Sequence, residues 1–332
     1  MTLPSTPPPF AISLSEVQQA HERIRAHIVR TPLLESQTLN HLLGGRIIVK
    51  AECLQHAGAF KFRGACNRLL QLSPAQRQAG VVAFSSGNHA LATSAVARKL
   101  GIPATIIMPS DAPKAKIEGS RANGATVILY DRQNDDREAI GAEIATRTGA
   151  VMVPPYDDPH IMAGQGTVGL EIIEQATERG VALDAVIAAS SGGGLVAGVA
   201  TAVKSLSPKT AVYAGEPAGF DELARSLASG QLESNAPGAR SICDALQVVR
   251  PGKLTFPVNL HLLAGSLVVT DDDVRQAMKA AYQHLKLVVE PGGAVPLAAL
   301  LAGKLDAADK TVVVILSGGN VDTSVFIEAL NR

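Results

Sequence analysis

The chain has 332 residues, 46% hydrophobic and 18% charged, with 30 basic and 30 acidic side chains that cancel. This composition supports buried cores for about two domains on a ~150-residue prior and argues against an intrinsically disordered chain. The charge balance leaves no basic footprint for nucleic acid or an anionic membrane surface.

The opening stretch MTLPSTPPPFAISL has no basic leader and no long apolar run. Neither a signal peptide nor a membrane span is expected, and the expected compartment is the cytoplasm. Cys53, Cys66 and Cys243 are widely spaced and form no CxxC pair, which fits reduced thiols. In chain order, apolar runs rich in β-branched residues predict strands at 46–50, 80–84, 104–108, 126–130, 185–189, 211–214 and 311–316. Helical patterns predict 15–27, 90–100, 135–147, 195–206 and 271–285, with Gly101 as a carboxyl-terminal cap. Such alternation points to α/β architecture with open, mostly parallel sheets. The Gly- and polar-rich stretch 156–169 reads as a return between two sheets. The expected domains are therefore a large one, residues 1–79 and 156–332, and a small mobile one, residues 80–155.

Lys61 stands between Phe60 and Phe62 in GAFKFRGA, residues 58–65. Lysine stems usually snorkel, with the ammonium in water. Held among apolar groups, the charged form loses solvation and the amine becomes a base or a partner for a carbonyl. After the strand at 185–189 come Ser190, Ser191, Gly192, Gly193 and Gly194, and a helix begins near Leu195. Glycines let the backbone approach an anion, and the positive end of a helix holds a phosphate. A ligand-free turn is the simpler alternative, although three consecutive glycines exceed what a turn needs. Residues 192–197 also satisfy the dinucleotide fingerprint, with Glu216 ending the next strand, so a nicotinamide or flavin enzyme is a rival. Ser85, Ser86, Gly87, Asn88 and His89 form a second anion cradle at a strand end, suited to a substrate carboxylate; the plainer alternative is an N-cap at Ser86 or Asn88. Ser317, followed by Gly318 and Gly319, can present a neutral hydroxyl to a ligand.

In this order the segments resemble the fold-type II pyridoxal phosphate enzymes, in the serine/threonine dehydratase and serine racemase branch, over about residues 14–326. QGTVGLE at 165–171 and MPSDAP at 108–113 belong to the match. The resemblance implies a tryptophan synthase β-like fold of two domains with helices on both sheet faces. It implies pyridoxal phosphate bound covalently to Lys61, with the Phe60 ring packed on it and Asn88 at its 3-oxygen. Ser191, Gly192, Gly193, Gly194 and Leu195 would hold the phosphate, and Ser317 would face the pyridine nitrogen. Ser191 replaces the first of the four glycines usual in the family loop. Ser86 is implied on the face opposite Lys61, as a second base for racemisation, and Ser85 to His89 as the substrate cradle. Glu216, the Phe220 carbonyl and Glu222 resemble a Mg²⁺ or Ca²⁺ site. There the family more often has aspartate in place of Glu222, and as a plainer alternative Asp221 and Glu222 would be first-turn acids of a helix. The chain ends ten residues after Asp322, so the regulatory domain of biosynthetic threonine dehydratases is expected to be absent.

The expected activity is β-elimination of L-threonine, L-serine or threo-3-hydroxyaspartate to a keto acid and ammonia, with minor serine racemisation. The segment SICDAL at 241–246 resembles bacterial catabolic members, which favours hydroxyaspartate. A hydroxyectoine-breakdown dehydratase, an NAD-dependent oxidoreductase and a non-catalytic ligand-binding protein are the alternatives. A small amino acid is the expected partner, with no nucleic acid or membrane, and a homodimer the expected assembly.

Overall fold

The computed structural model describes residues 10–332 other than 86, 113, 132 and 133. Its strands are β1 (Leu33–Glu35), β2 (Arg46–Lys50), β3 (Val81–Phe84), β4 (Ala104–Pro109), β5 (Thr126–Tyr130), β6 (Val151–Met152), β7 (Ala185–Ala189), β8 (Ala211–Pro217), β9 (Gly265–Val269) and β10 (Thr311–Ile315). They form a six-stranded sheet, β1-β2-β10-β7-β8-β9, and a four-stranded sheet, β5-β4-β3-β6. Every pairing is parallel except β1 with β2. The α/β class with mostly parallel sheets is thus as expected.

The strands read from sequence are those with continuous apolar runs. β7 is buried at all five positions and β10 at four of five, as central strands covered on both faces must be. β1, β6 and β9 were not predicted. They have three, two and five residues, end their sheets, and are mostly half-exposed, so they carry no periodic apolar signal.

Residues 156–169 do join the four-stranded to the six-stranded sheet, but from Pro159 onward they are helix, Pro159–Glu178. Asp158 caps it by accepting from the N–H groups of His160 and Ile161. The glycines that suggested a loop are contact points between helices. A Cβ at Gly164 would lie 2.6 Å from Gly64 Cα, and one at Gly169 would lie 2.9 Å from the Val199 carbonyl. Without side chains there, helix Pro159–Glu178 packs directly on helices Lys61–Leu70 and Gly194–Leu206.

That packing encloses an ionic cluster with no access to solvent. Arg63 donates to Glu52 at 2.7 and 2.8 Å and to Glu171 at 2.7 and 2.8 Å. Lys50 Nζ donates to Glu171 at 2.6 Å and to Gln175 at 2.9 Å. Two cations and two carboxylates balance, and the cluster ties β2, the segment Glu52–Leu54 and two helices together. Arg63 lies two residues beyond Lys61, so the cluster also fixes the helix on which Lys61 sits.

Candidate active site

Lys61 is the first residue of helix Lys61–Leu70. The segment before it is pinned to the end of β10, because Phe60 N–H donates to Ser317 O at 3.0 Å and Ala59 bridges Gly318. Lys61 Nζ donates to the Pro155 carbonyl at 2.6 Å and lies 5.2 Å from the centre of the Phe60 ring. The residue as a whole is half-buried, but its amine is desolvated, and burial pulls its pKa down to about 8. The lowered pKa makes the neutral amine far more accessible near physiological pH than for an ordinary lysine, as a nucleophile or base requires.

Across the cleft, β7 runs through Ser190 and Ser191 into Gly192 and Gly193, and helix Gly194–Leu206 starts without a side-chain cap. Gly193 has φ +89, open to glycine and strained for other residues. A side chain at Gly192 would overlap the Tyr156 ring. The loop carbonyls are tied away: Gly192 O accepts from Thr255 Oγ1 at 2.6 Å and from Gly252 N–H at 3.1 Å, and Gly193 O accepts from Asn259 at 3.4 Å. With its carbonyls turned back and the first helical N–H groups lacking intrahelical partners, the loop is an anion cradle. Ser191, Gly192, Gly193, Gly194 and Leu195 all line the cleft that holds Lys61.

Ser85, Gly87, Asn88 and His89 line the same cleft, while Ser86 lies outside the described residues. Gly87 is the N-cap of helix Asn88–Leu100 and supplies no side chain, so Asn88 is not the cap. The Asn88 side chain instead donates to Glu290 and accepts from Asn320. His89 Nε2 meets the Val153 carbonyl at 2.8 Å, which makes that nitrogen the donor. Burial, reinforced by the Lys61 charge, pushes its pKa down to about 3, so His89 is neutral. Ser317 is buried and lines the same cleft.

Glu290 and Arg137 are among the cleft residues that the sequence does not single out. Glu290 is fully enclosed, and burial raises its carboxyl to about 7. Its sequence signal is faint: one acid between the apolar run 287–289 and Pro291, Gly292 and Gly293. Arg137 also lines the cleft, with its guanidinium 5.1 Å from the centre of the Phe84 ring, and nothing near it in sequence marks it as a site residue.

Glu216, Phe220 and Glu222 lie apart from this cleft. The Glu216 carboxylate accepts from the N–H groups of Leu223 and Ala224 at 2.8 Å each and from Ser266 Oγ at 2.5 Å. So engaged, and outside the cleft lining, it does not face the glycine loop as a ribose-binding acid would. Glu222 Oε2 accepts from Asn235 at 2.5 Å, whereas its buried Oε1 has no hydrogen-bond partner among the described residues. Burial raises Glu216 to about 7, and burial with the Glu216 charge raises Glu222 to about 8. Among the described residues no three His, Cys, Asp or Glu side chains gather as metal ligands.

A family model described as pyridoxal-phosphate dependent enzyme matches residues 24–318. The chain belongs to this family. It is 42% identical to a serine racemase of Arabidopsis thaliana over 318 residues, covering 94% of each chain. It is 41% identical to an L-threo-3-hydroxyaspartate ammonia-lyase of a Pseudomonas species, covering 96% of this chain and 98% of that one. The solved structure of maize serine racemase superposes with a TM-score of 0.91 at 37% identity, covering 97% of this chain and 98% of that one. Pyridoxal phosphate is the cofactor the family implies, and the cleft suits it: a desolvated amine, a cradle for a phosphate and a buried neutral hydroxyl converge there.

Proposed function

We propose that the protein is an ammonia-lyase that eliminates the β-hydroxyl of an L-β-hydroxy amino acid, giving a keto acid and ammonia. The observation that carries this is the convergence of the Lys61 amine, the Ser191 to Leu195 cradle and the Ser317 hydroxyl on one cleft. Lys61 would hold pyridoxal phosphate, with the Phe60 ring against it, the cradle on the phosphate, Asn88 at the 3-oxygen and Ser317 at the ring nitrogen. When bound, the cofactor supplies the electron sink that makes a Cα–H bond acidic. Lys61 would take the Cα proton on its Nζ, and its lowered pKa suits that task. Ser85, Gly87, Asn88 and His89, at or just before the start of helix Asn88–Leu100, would hold the substrate carboxylate together with Ser86. Ser317 offers a hydroxyl rather than a charge, so it does not hold the ring nitrogen protonated, which favours prompt loss of the hydroxyl.

Arg137 supplies a guanidinium to the cleft and suits a substrate with a second carboxylate. Keto-acid release from L-threo-3-hydroxyaspartate, L-threonine and L-serine tests the proposal. The expected order puts hydroxyaspartate first by about tenfold or more in kcat/KM, the worth of a charge-assisted hydrogen bond. Absence of keto acid from all three would refute the activity.

Ser86 is the proposed proton carrier on the face opposite Lys61. Ser86→Ala is expected to abolish formation of D-serine from L-serine, while pyruvate release continues at a reduced rate. Chiral chromatography decides this, and undiminished D-serine formation would remove Ser86 from the role.

Mg²⁺ or Ca²⁺ is proposed at Glu216, the Phe220 carbonyl and Glu222, supported by the Glu222 oxygen that has no partner among the described residues and by the burial of both carboxyls. At a hundredfold excess over Kd, binding to the native state alone adds about 2.7 kcal/mol, or ~5 °C in melting temperature. Readdition of Mg²⁺ after chelation should restore that rise in the wild type and not in Glu222→Gln. Identical melting with and without chelator would dismiss the metal.

The proposal further takes residues 80–155 as a small mobile domain that covers the cleft, and the protein as a cytoplasmic homodimer. Three buried, unpaired cysteines support a reducing compartment.

A further inference from the structure

The hydrogen bonds around Asn88 run in one direction. Asn320 Nδ2 donates to the Ala57 carbonyl at 2.8 Å and to Asn88 Oδ1 at 2.9 Å. Asn88 Nδ2 then donates to Glu290 Oε1. Both ends of this chain, a peptide carbonyl and a carboxyl oxygen, are acceptors. Asn320 must therefore turn its nitrogen toward Ala57, and that same nitrogen meets Asn88. A flipped Asn88 would set oxygen against Glu290 Oε1 and N–H against N–H at Asn320. A proton on Glu290 leaves the direction intact when it sits on Oε2, which has no partner among the described residues. Of the two N–H bonds on Asn88 Nδ2, one goes to Glu290 and the other remains for the cleft that Asn88 lines.

The anchor of the chain is itself constrained. Ala57 has φ +56 and Gly58 φ +70, and a side chain at position 58 would overlap Asn320. A non-glycine residue in the left-handed region is costly, and the bond from Asn320 to the Ala57 carbonyl helps to hold it. The turn that places Lys61 and the amide chain that orients Asn88 are therefore one assembly, closed by residues from the far end of the sequence.

We propose that Asn320, anchored on Ala57, and Glu290 are positioning residues that lock the Asn88 amide so that it offers an N–H, and not its oxygen, to the 3-oxygen of pyridoxal phosphate. This rests on the placement of Asn88 at that oxygen given under the proposed function. Neither Asn320 nor Glu290 needs to touch the cofactor to act in this way.

The test is equilibrium binding of pyridoxal 5′-phosphate and of 3-deoxypyridoxal 5′-phosphate to the cofactor-free full chain, for wild type, Asn320→Asp, Asn320→Ala and Asn88→Ala. Both ligands carry the aldehyde, so the bond to Lys61 cancels in the comparison. A carboxylate at position 320 only accepts, and it draws the Asn88 N–H groups away from the cleft. Asn320→Asp should weaken pyridoxal phosphate about tenfold, the worth of one neutral hydrogen bond, and leave the 3-deoxy ligand within about twofold. Adding Asn88→Ala to Asn320→Asp should cause no further loss, because the two act through one contact. Asn320→Ala removes the donor without adding charge, and it carries the test should the first variant not fold. Equal weakening of both ligands would overturn the proposal by reducing Asn320 to a structural role, as would unchanged binding of pyridoxal phosphate in both Asn320 variants. Failure of Asn88→Ala to distinguish the ligands would bring down the Asn88 contact and the relay with it. Discrimination by Asn88→Ala but by neither Asn320 variant would bring down the relay alone.

Discussion

Lys61→Ala is expected to lower turnover of every β-hydroxy amino acid by at least about 10⁴-fold, because in the proposed mechanism one side chain supplies both the covalent hold on the cofactor and the general base. Among the described residues no other lysine lines the cleft. Lys50 is spent on Glu171 and Gln175 inside the ionic cluster, and Lys116 is paired with Asp244 at 2.5 Å. The fold itself should tolerate the change. The amine gives up a single hydrogen bond to the Pro155 carbonyl, and its desolvation already weighs against the charged form. Steady-state keto-acid release together with a melting curve checks both halves: activity lost, melting temperature retained. Substantial residual turnover would remove Lys61 from the centre of the chemistry.

The largest stability effect is expected two residues further on. Arg63→Met leaves Glu52 and Glu171 buried, with four hydrogen bonds removed between them. Burial raises the Glu171 carboxyl, but Arg63 and then Lys50 outweigh it and hold its pKa below the ordinary value, and the variant loses the larger of these counterweights. Breaking a buried pair from one side costs about 3–5 kcal/mol. Arg63→Lys should recover little of that, since an ammonium cannot serve both carboxylates in the forked geometry of a guanidinium. Denaturant unfolding of the cofactor-free chain measures the loss directly. A change below about 1 kcal/mol would mean that the cluster relaxes by admitting water.

How far the molecule could be read from its residues depended on the reach of each signal. The apolar runs of β7 and β10, and the shorter one at Ile47 to Val49 in β2, speak locally, because a strand covered on both faces is apolar along most of its length. The proposed phosphate cradle is local too, with three consecutive glycines between a strand and a helix. Lys61 is marked by its neighbouring rings, but it gains its meaning only from the other segments that share the family order. Glu290 and Asn320 could not be read this way. Glu290 meets Asn88 across 202 residues and Asn320 meets Asn88 across 232, so their roles exist only once the two sheets are brought together. Glycine misled in the opposite sense: in helix Pro159–Glu178 it marks close helix packing, a meaning that the residue type alone does not separate from a turn. Glu216 and Glu222 were legible as acids, but the structure engages Glu216 with backbone N–H groups and leaves one Glu222 oxygen without a partner among the described residues, a distinction composition does not carry.

Borohydride reduction of the purified protein, followed by proteolysis and mass spectrometry, tests the central claim most directly. The account predicts a phosphopyridoxyl group on the peptide that contains Lys61, at a stoichiometry near one per chain, and loss of the visible absorbance band on reduction. A cofactor mass on any other lysine, or none on a protein that releases keto acid from hydroxy amino acids, would contradict it.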